Sequence, residues 1–262
     1  MGAILAFSGK GGSGKTTLAA LTVRHLGRCG VGPVLAVDAD PNATLGLALG
    51  VPVESTIADL RERMGEAAMQ VSEIPKERLM GQWLAEILSE QRGFDLLTMG
   101  RPEGPKCYCY VNGLLRRYLK ELRGAYPVVV VDCEAGMEYL SRLTVDDIDS
   151  LVLVAEATSV GLASAARIGR LADALPIRVK RRVLVVNKVG QPGLAEADLG
   201  GQDIGGAAHV VRVPFDPEVY RQCAQGQPLD DRIGDATRSA IASLAEWCLP
   251  QLCQGQNAPS PR

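Results

Sequence analysis

The nine residues GKGGSGKTT, Gly9 to Thr17, follow a short apolar run and lead into a stretch of helical character. They match the phosphate-binding pattern G-x-x-x-x-G-K-[ST] in the strand–loop–helix setting that the pattern needs. Gly9, Gly11, Gly12 and Gly14 put no Cβ in the way, so backbone N–H groups of the loop, which also holds Lys10 and Ser13, can curl round a phosphate. The helix that follows adds its positive end. Lys15 would reach the β- and γ-phosphates, the Thr16 hydroxyl would ligate Mg²⁺, and Thr17 completes the motif. A second chemistry is written at residues 102–113, PEGPKCYCYVNG, where Cys107 and Cys109 stand two positions apart.

Thiols at i and i+2 point to opposite faces of a strand and lie about 200° apart on a helix. They converge on one atom only in a turn or at a helix entry. Gly104 and Pro105 break the chain before the pair, and Asn112 can begin a helix after it. A helix N-terminus with Lys106 beside it lowers a thiol pKa and favours thiolate. Two thiolates make a poor closed site, because Zn²⁺ and similar ions take four ligands. A two-fold dimer turns two into four, provided the segment lies near the axis. Metal ligation, a redox-active disulfide and inert thiols all remain open on the residues alone.

The elements that must position these groups alternate along the chain. Strand-like runs fall at 3–8, 33–38, 95–100, 127–132, 150–156, 181–187 and 209–213, with helical stretches at 15–28, 112–123, 160–174 and 236–252. Near-continuous Val, Ile and Leu in the strands means burial on both faces, and helical crossovers then imply parallel neighbours. The expected fold is a doubly wound α/β domain, with a mostly parallel sheet of seven or eight strands flanked by helices. One domain is expected over 1–253, with a mainly helical insert at about 56–93 and a disordered tail at 254–262. In the insert Leu79, Met80, Trp83, Leu84, Ile87 and Leu88 recur at helical spacing, which predicts a core-facing stripe.

Composition narrows the function. A net charge of −2 argues against a protein held on nucleic acid by bulk charge. No apolar run is long enough to cross a bilayer, no export signal opens the chain, and seven cysteines is an odd count, so a cytoplasmic protein with reduced thiols is expected. RVKRR at 178–182 and Arg116, Arg117, Lys120 and Arg123 supply local positive charge, read as solvated faces. Cys29, Cys133, Cys223 and Cys248 are expected to be small core residues.

The base can be argued from chemistry. VVNKVG, 185–190, ends a strand much as GTPases end theirs with N-K-x-D, whose aspartate satisfies two guanine donors. Gly190 stands there instead, so adenine is favoured. The Asn187–Lys188 pair then belongs to the nucleotide pocket.

Lys10 gives the phosphate loop an extra cation. KGGSGKTT resembles the deviant Walker A motif of the MinD/ParA/nitrogenase-iron-protein ATPases. The resemblance implies that Lys10 reaches across a two-fold dimer to the partner's nucleotide and neutralises transition-state charge there. It extends to VDADPNATLG (37–46), where Asp40 would orient the attacking water and Asp38 would support the Mg²⁺ shell. In VVVVDCEAG (128–136) it makes Asp132 the carboxylate for Mg²⁺-bound water and brings the Gly136 N–H near the γ-phosphate. Glu134 stands where this pattern often has proline. Asn187 would read the base, with Pro214 and Phe215 of VPF (213–215) closing over it.

GRPEGPKCYC with VNGLLR, followed by DCEAGMEYLSR, is similar to the carbon monoxide dehydrogenase maturation ATPases, nickel-insertion accessory proteins of the MinD-like group. That likeness implies an ATP- and Mg²⁺-dependent homodimer that holds Ni²⁺ or Zn²⁺ on Cys107 and Cys109 at its interface, with carbon monoxide dehydrogenase as client and neither nucleic acid nor membrane as partner. Two other classes stay in view: a partitioning or spatial-regulator ATPase, and a carrier of an iron–sulfur cluster between subunits. The first by the MinD route needs a C-terminal amphipathic membrane helix, and QLCQGQNAPSPR is not one.

Overall fold

The computed structural model describes residues 2–60, 85–101, 119–134, 147–193 and 203–253, together with 62, 83, 113, 116, 117, 200 and 201. The strands are β1 (Ala3–Gly9), β2 (Val34–Ala39), β3 (Leu88–Gln91), β4 (Phe94–Thr98), β5 (Val128–Cys133), β6 (Asp147–Glu156), β7 (Arg178–Val189) and β8 (His209–Pro214). The helices are α1 (Lys15–Arg28), α2 (Leu45–Leu49), α3 (Ser159–Ala174), α4 (Pro217–Ala224), α5 (Asp235–Cys248) and α6 (Pro250–Cys253). Together the strands make one eight-stranded sheet in the order β3-β4-β2-β5-β1-β6-β7-β8. β3 pairs antiparallel with β4, and every other pairing is parallel. The expected doubly wound, mostly parallel α/β fold is the observed one.

The pattern of the central strands explains the layering. β2 and β5 are buried along their whole length, and β1 beyond Ala3. Successive side chains feed two cores: Leu5 and Phe7 of β1 go to one, Ile4 and Ala6 to the other. Helices α1, α2 and α5 cover the first face with Leu18, Leu49 and Ile241, while α3 covers the second with Leu162, Ala165 and Ile168. The connection from β1 runs through α1 to β2 on one side, whereas β6 pairs with β1 on the other. β1 is therefore the switch point, and a crevice opens at the carboxyl ends of the strands beside it.

Three expectations need correction. The insert is not helical to residue 93. Residues 57–60 and 85–87 are helical, but Leu88 opens β3, a hairpin strand that turns through Arg92 and Gly93. Gly93 has φ 88°, which ends any helix there. Ile87 is buried and Trp83 and Leu88 pack against the core, while Leu79, Met80 and Leu84 lie outside the described residues. The helix expected over 236–252 breaks at Leu249, because Pro250 cannot donate to the preceding turn. The strand expected from residue 181 begins at Arg178, so RVKRR opens β7, and Arg178, Lys180 and Arg181 are exposed there, as a solvated face requires.

Candidate nucleotide site

The phosphate loop joins β1 to α1 under tight steric limits. A Cβ on Gly9 would stand 2.2 Å from the Val154 carbonyl oxygen. Gly14, with φ 97°, caps α1 without a side chain, and a Cβ there would meet Asn187 Nδ2 at 2.3 Å. Lys15 is buried, and its Nζ donates to the Lys10 carbonyl at 3.3 Å. Lys10 itself is exposed, outside the cradle that Lys15 enters.

Two carboxylates face this loop from the ends of adjacent strands, Asp38 on β2 and Asp132 on β5, which are register partners. Both are fully buried. Asp38 accepts the N–H groups of Asp40 at 3.2 Å and Leu45 at 2.7 Å, so it pins the segment that follows β2. Thr16 Oγ1 donates to Asp132 Oδ2 at 2.6 Å, while Asp132 Oδ1 is buried with no hydrogen-bond partner among the described residues. Burial, helped by the charge of Asp38, pushes the Asp132 carboxyl up to about 7 against the pull of the Thr16 bond. Burial likewise pushes Asp38 up to about 6, despite its bonds from Leu45 and Asp40. Such a pair asks for a cation. Asp40 turns its Oδ1 to the N–H and the amide of Asn42, both at 2.9 Å.

The carboxyl end of β7 closes the loop from behind. Asn187 Nδ2 donates to the Ser13 carbonyl at 2.9 Å, and Lys188 Nζ donates to the Gly12 carbonyl at 2.9 Å and to Glu156 at 2.6 Å. In front lies a cavity of about 520 Å³, lined by the loop together with Asp40, Asn187, Lys188, Pro214 and Phe215. A larger cavity of about 830 Å³ sits at the amino ends of β7 and β8, beside Arg181 and Trp247, remote from the phosphate loop. The smaller one holds the chemistry.

Most of the residues singled out by sequence therefore share one crevice. The loop from Gly9 to Thr17, Asp38, Asp40, Asp132, Asn187, Lys188, Pro214 and Phe215 come together there. Gly136, Cys107 and Cys109 lie outside the described residues. Among the described residues no group of three or more His, Cys, Asp or Glu is placed to hold a metal ion. Tyr220 and Cys223 are among the cavity residues that sequence reasoning missed. Tyr220 on α4 stands 62% exposed and meets Phe215 with ring centroids 5.8 Å apart. Its only signal was the cap that begins α4, Asp216 followed by Pro217. Cys223, expected in the core, is instead exposed and lines the cavity, its Sγ 3.8 Å from Thr17 Oγ1. It lies on the cavity side of α4 instead of its core side. Cys133 and Cys248 are buried, as expected, and Cys29 is half-buried against the core.

Residues 4–229 match the family described as the CobQ/CobB/MinD/ParA nucleotide binding domain. The chain belongs to this family. It is a P-loop ATPase of the MinD/ParA type. An uncharacterized ATP-binding protein of Methanocaldococcus jannaschii is 38% identical over 230 residues, which cover 86% of this chain and 90% of that one. The carbon monoxide dehydrogenase accessory protein CooC of Rhodospirillum rubrum is 34% identical over 200 residues, 72% of this chain and 75% of its own. Among solved structures, the septum site-determining protein MinD of Pyrococcus horikoshii, complexed with Mg-ADP, superposes with a TM-score of 0.71. That match has 22% identity and covers 99% of this chain and 100% of that one. Among the described residues no helix is long and apolar enough to cross a membrane.

Proposed function

We propose that this MinD/ParA-type ATPase is an ATP-dependent metallochaperone that binds Ni²⁺ or Zn²⁺ through Cys107 and Cys109 at a two-fold interface and assists nickel insertion into carbon monoxide dehydrogenase. The observation that carries the reading is a C-x-C pair in the same chain as a phosphate loop bearing Lys10. The similarity to CooC over 72% of the chain supports the client. Likeness to MinD structures lies at an identity where only the fold is shared, so it does not favour a spatial regulator. Residues 1–253 act as one domain, with 254–262 as its tail.

In this reading the cradle from Gly9 to Thr17 binds the phosphates and Lys15 meets their charge. Mg²⁺ fits the site, because the buried Asp132 Oδ1 lacks a partner among the described residues and the Thr16 hydroxyl lies beside the same carboxylate. Thr16 would hold the ion directly and Asp132 through water, with Asp38 in support; when bound, the ion neutralises charge on the phosphate oxygens. Asp40 orients the attacking water, and Gly136 offers its N–H towards the γ-phosphate. Lys10 of one subunit acts on the nucleotide of the other. Asn187 reads adenine, and Pro214 and Phe215 close over the base. ATP binding draws the two subunits together, and hydrolysis resets the geometry at four sulfurs.

Metal titration of the parent, Cys107→Ser and Cys109→Ser proteins, read by absorbance and by solution mass, tests the cargo site. One metal per dimer is expected in the parent. Each serine variant, with a hard protonated oxygen in place of a soft thiolate, should lose tight binding while keeping nucleotide. One metal per monomer without a change in mass, or undiminished binding in either variant, rejects it.

A further inference from the structure

Glu156 ends β6 beside Asn187 in the β6–β7 ladder, and the roles assigned above make no use of it. Its Oε1 lies 2.6 Å from Lys188 Nζ, and the same ammonium donates to the Gly12 carbonyl at 2.9 Å. Both side chains are about one-third exposed, at 35% for Glu156 and 33% for Lys188. A pair at that depth is screened less than a fully exposed one.

The backbone of Lys188 is a second sign that the contact is built. Its φ is 59°, in the left-handed region that a lysine enters only at a cost of about 1 kcal/mol or more. β7 has a register irregularity between Val186 and Val189, so the strand leaves its ladder where Lys188 turns towards the loop. A lysine with only a surface role would need neither feature. The direction of the hydrogen bonds gives them a purpose. Across a planar trans peptide the C=O of one residue and the N–H of the next point opposite ways. Asn187, pulling the Ser13 carbonyl outward, turns the Gly14 N–H the other way. Lys188, pulling the Gly12 carbonyl, fixes the Ser13 N–H on the Lys10 carbonyl at 3.2 Å, the oxygen that also accepts Lys15 Nζ.

We propose that Glu156 is a positioning residue: it holds the Lys188 ammonium on the Gly12 carbonyl, and this grip preforms the phosphate loop and so sets nucleotide affinity more than turnover. Without the carboxylate, Lys188 keeps its charge but swings towards water, and the loop must be ordered by the nucleotide itself. That ordering cost appears in the dissociation constant. The proposal rests on reading the loop as the nucleotide site.

The test is calorimetric titration of ADP and ATP into the parent, Glu156→Gln, Lys188→Met and double-variant proteins, with hydrolysis rates and melting temperatures measured alongside. Loss of one partly exposed, charge-assisted hydrogen bond should raise Kd about three- to tenfold in Glu156→Gln, for both nucleotides. The rate at saturating ATP should fall by less than Kd rises, and melting should stay at the parental temperature. Because Glu156 acts through Lys188, the double variant should bind no worse than Lys188→Met alone. An unchanged Kd in Glu156→Gln, or losses that add in the double variant, overturns the proposal. So does a drop in melting temperature that accounts for the weaker binding. A parent protein that binds neither ADP nor ATP overturns this proposal and the nucleotide-site reading together, whereas normal parental binding with an unshifted Glu156→Gln sinks the clamp alone.

Discussion

Aspartates at the two ends of the same sheet live under opposite conditions. At the amino end, Asp149 on β6 accepts the Ile4 N–H at 2.8 Å, Lys180 Nζ at 2.6 Å and Arg123 at 3.2 Å, and Asp147 meets Arg178 at 2.7 Å. Burial alone would raise the Asp149 pKa, yet the bonds from Lys180 and Ile4 and the nearby charges of Lys180 and Arg123 hold it below the ordinary carboxylate value. At the carboxyl end, Asp132 has, among the described residues, one donor for two oxygens and no cation that outweighs its burial. The first arrangement is complete without any ligand and ties β1, β6, β7 and the residue-123 turn into one edge. The second is incomplete as protein and becomes favourable only when positive charge arrives. Partner count, more than residue type, separates architecture from function here.

Asp132→Asn tests the carboxyl end most severely. An amide keeps the shape and can still accept from Thr16, but it removes the charge that would anchor Mg²⁺ through water. Hydrolysis should fall by about a thousandfold. Folded stability without nucleotide should hold or rise, since a buried carboxylate whose one donor and nearby lysine do not offset its burial is made neutral. Steady-state ATP hydrolysis and urea unfolding on the same preparations check both halves. A strongly destabilised Asp132→Asn protein would place this carboxylate with the architectural group and break the contrast.

Lys10→Ala sharpens the same end by a somewhat smaller step. Lys10 is exposed, and it is its backbone carbonyl, which alanine keeps, that accepts Lys15 Nζ, so nucleotide affinity should survive through Lys15. Hydrolysis should drop about a hundredfold or more, the size expected when a charge that acts in the transition state is lost. Parental turnover in Lys10→Ala would remove the trans-acting lysine from the proposed mechanism.

The legibility of the two ends differs for a physical reason. A phosphate cradle needs consecutive N–H groups on one short loop, so its chemistry is contiguous and Gly9 to Thr17 could be read directly. The buried strands were equally plain, because residues enclosed on both faces, as at Val128 to Val131, leave long apolar runs. The β3 strand was hidden because it is an edge of four residues, LSEQ, with little apolar content, following a helical stripe. Cys223 and Tyr220 could not be placed because a short helix does not announce which side faces a cavity formed by distant strands. Glu156 on Lys188, and Lys188 on Gly12, join positions 32 and 176 apart in sequence, and no local pattern records such a contact. The amino-end network is of the same kind: Arg123, Asp149 and Lys180 look like scattered surface charge until the sheet brings them together.

The smallest effect belongs to that network and can be separated by pH. Asp149→Asn should cost about 1–2 kcal/mol at neutral pH, reduced from a fully buried charge because its lysine and arginine partners keep contact with water. Hydrolysis at saturating ATP should stay at the parental value, since the residue lies at the opposite end of β6 from the phosphate loop. The pH dependence follows from the direction of its shift. Its folded pKa lies below the value of about 3.9 expected in the unfolded chain, so the unfolded state takes up the proton first as acid is added. The stabilisation is therefore fully present above that unfolded pKa and is lost as pH falls through the folded one. Urea unfolding of parent and Asp149→Asn proteins from neutral pH down through that window should show the gap between them narrow and close. A gap that stays constant into acid would mean that the Asp149→Asn change costs stability through shape and lost neutral hydrogen bonds, and the carboxylate charge would then contribute nothing at the amino end.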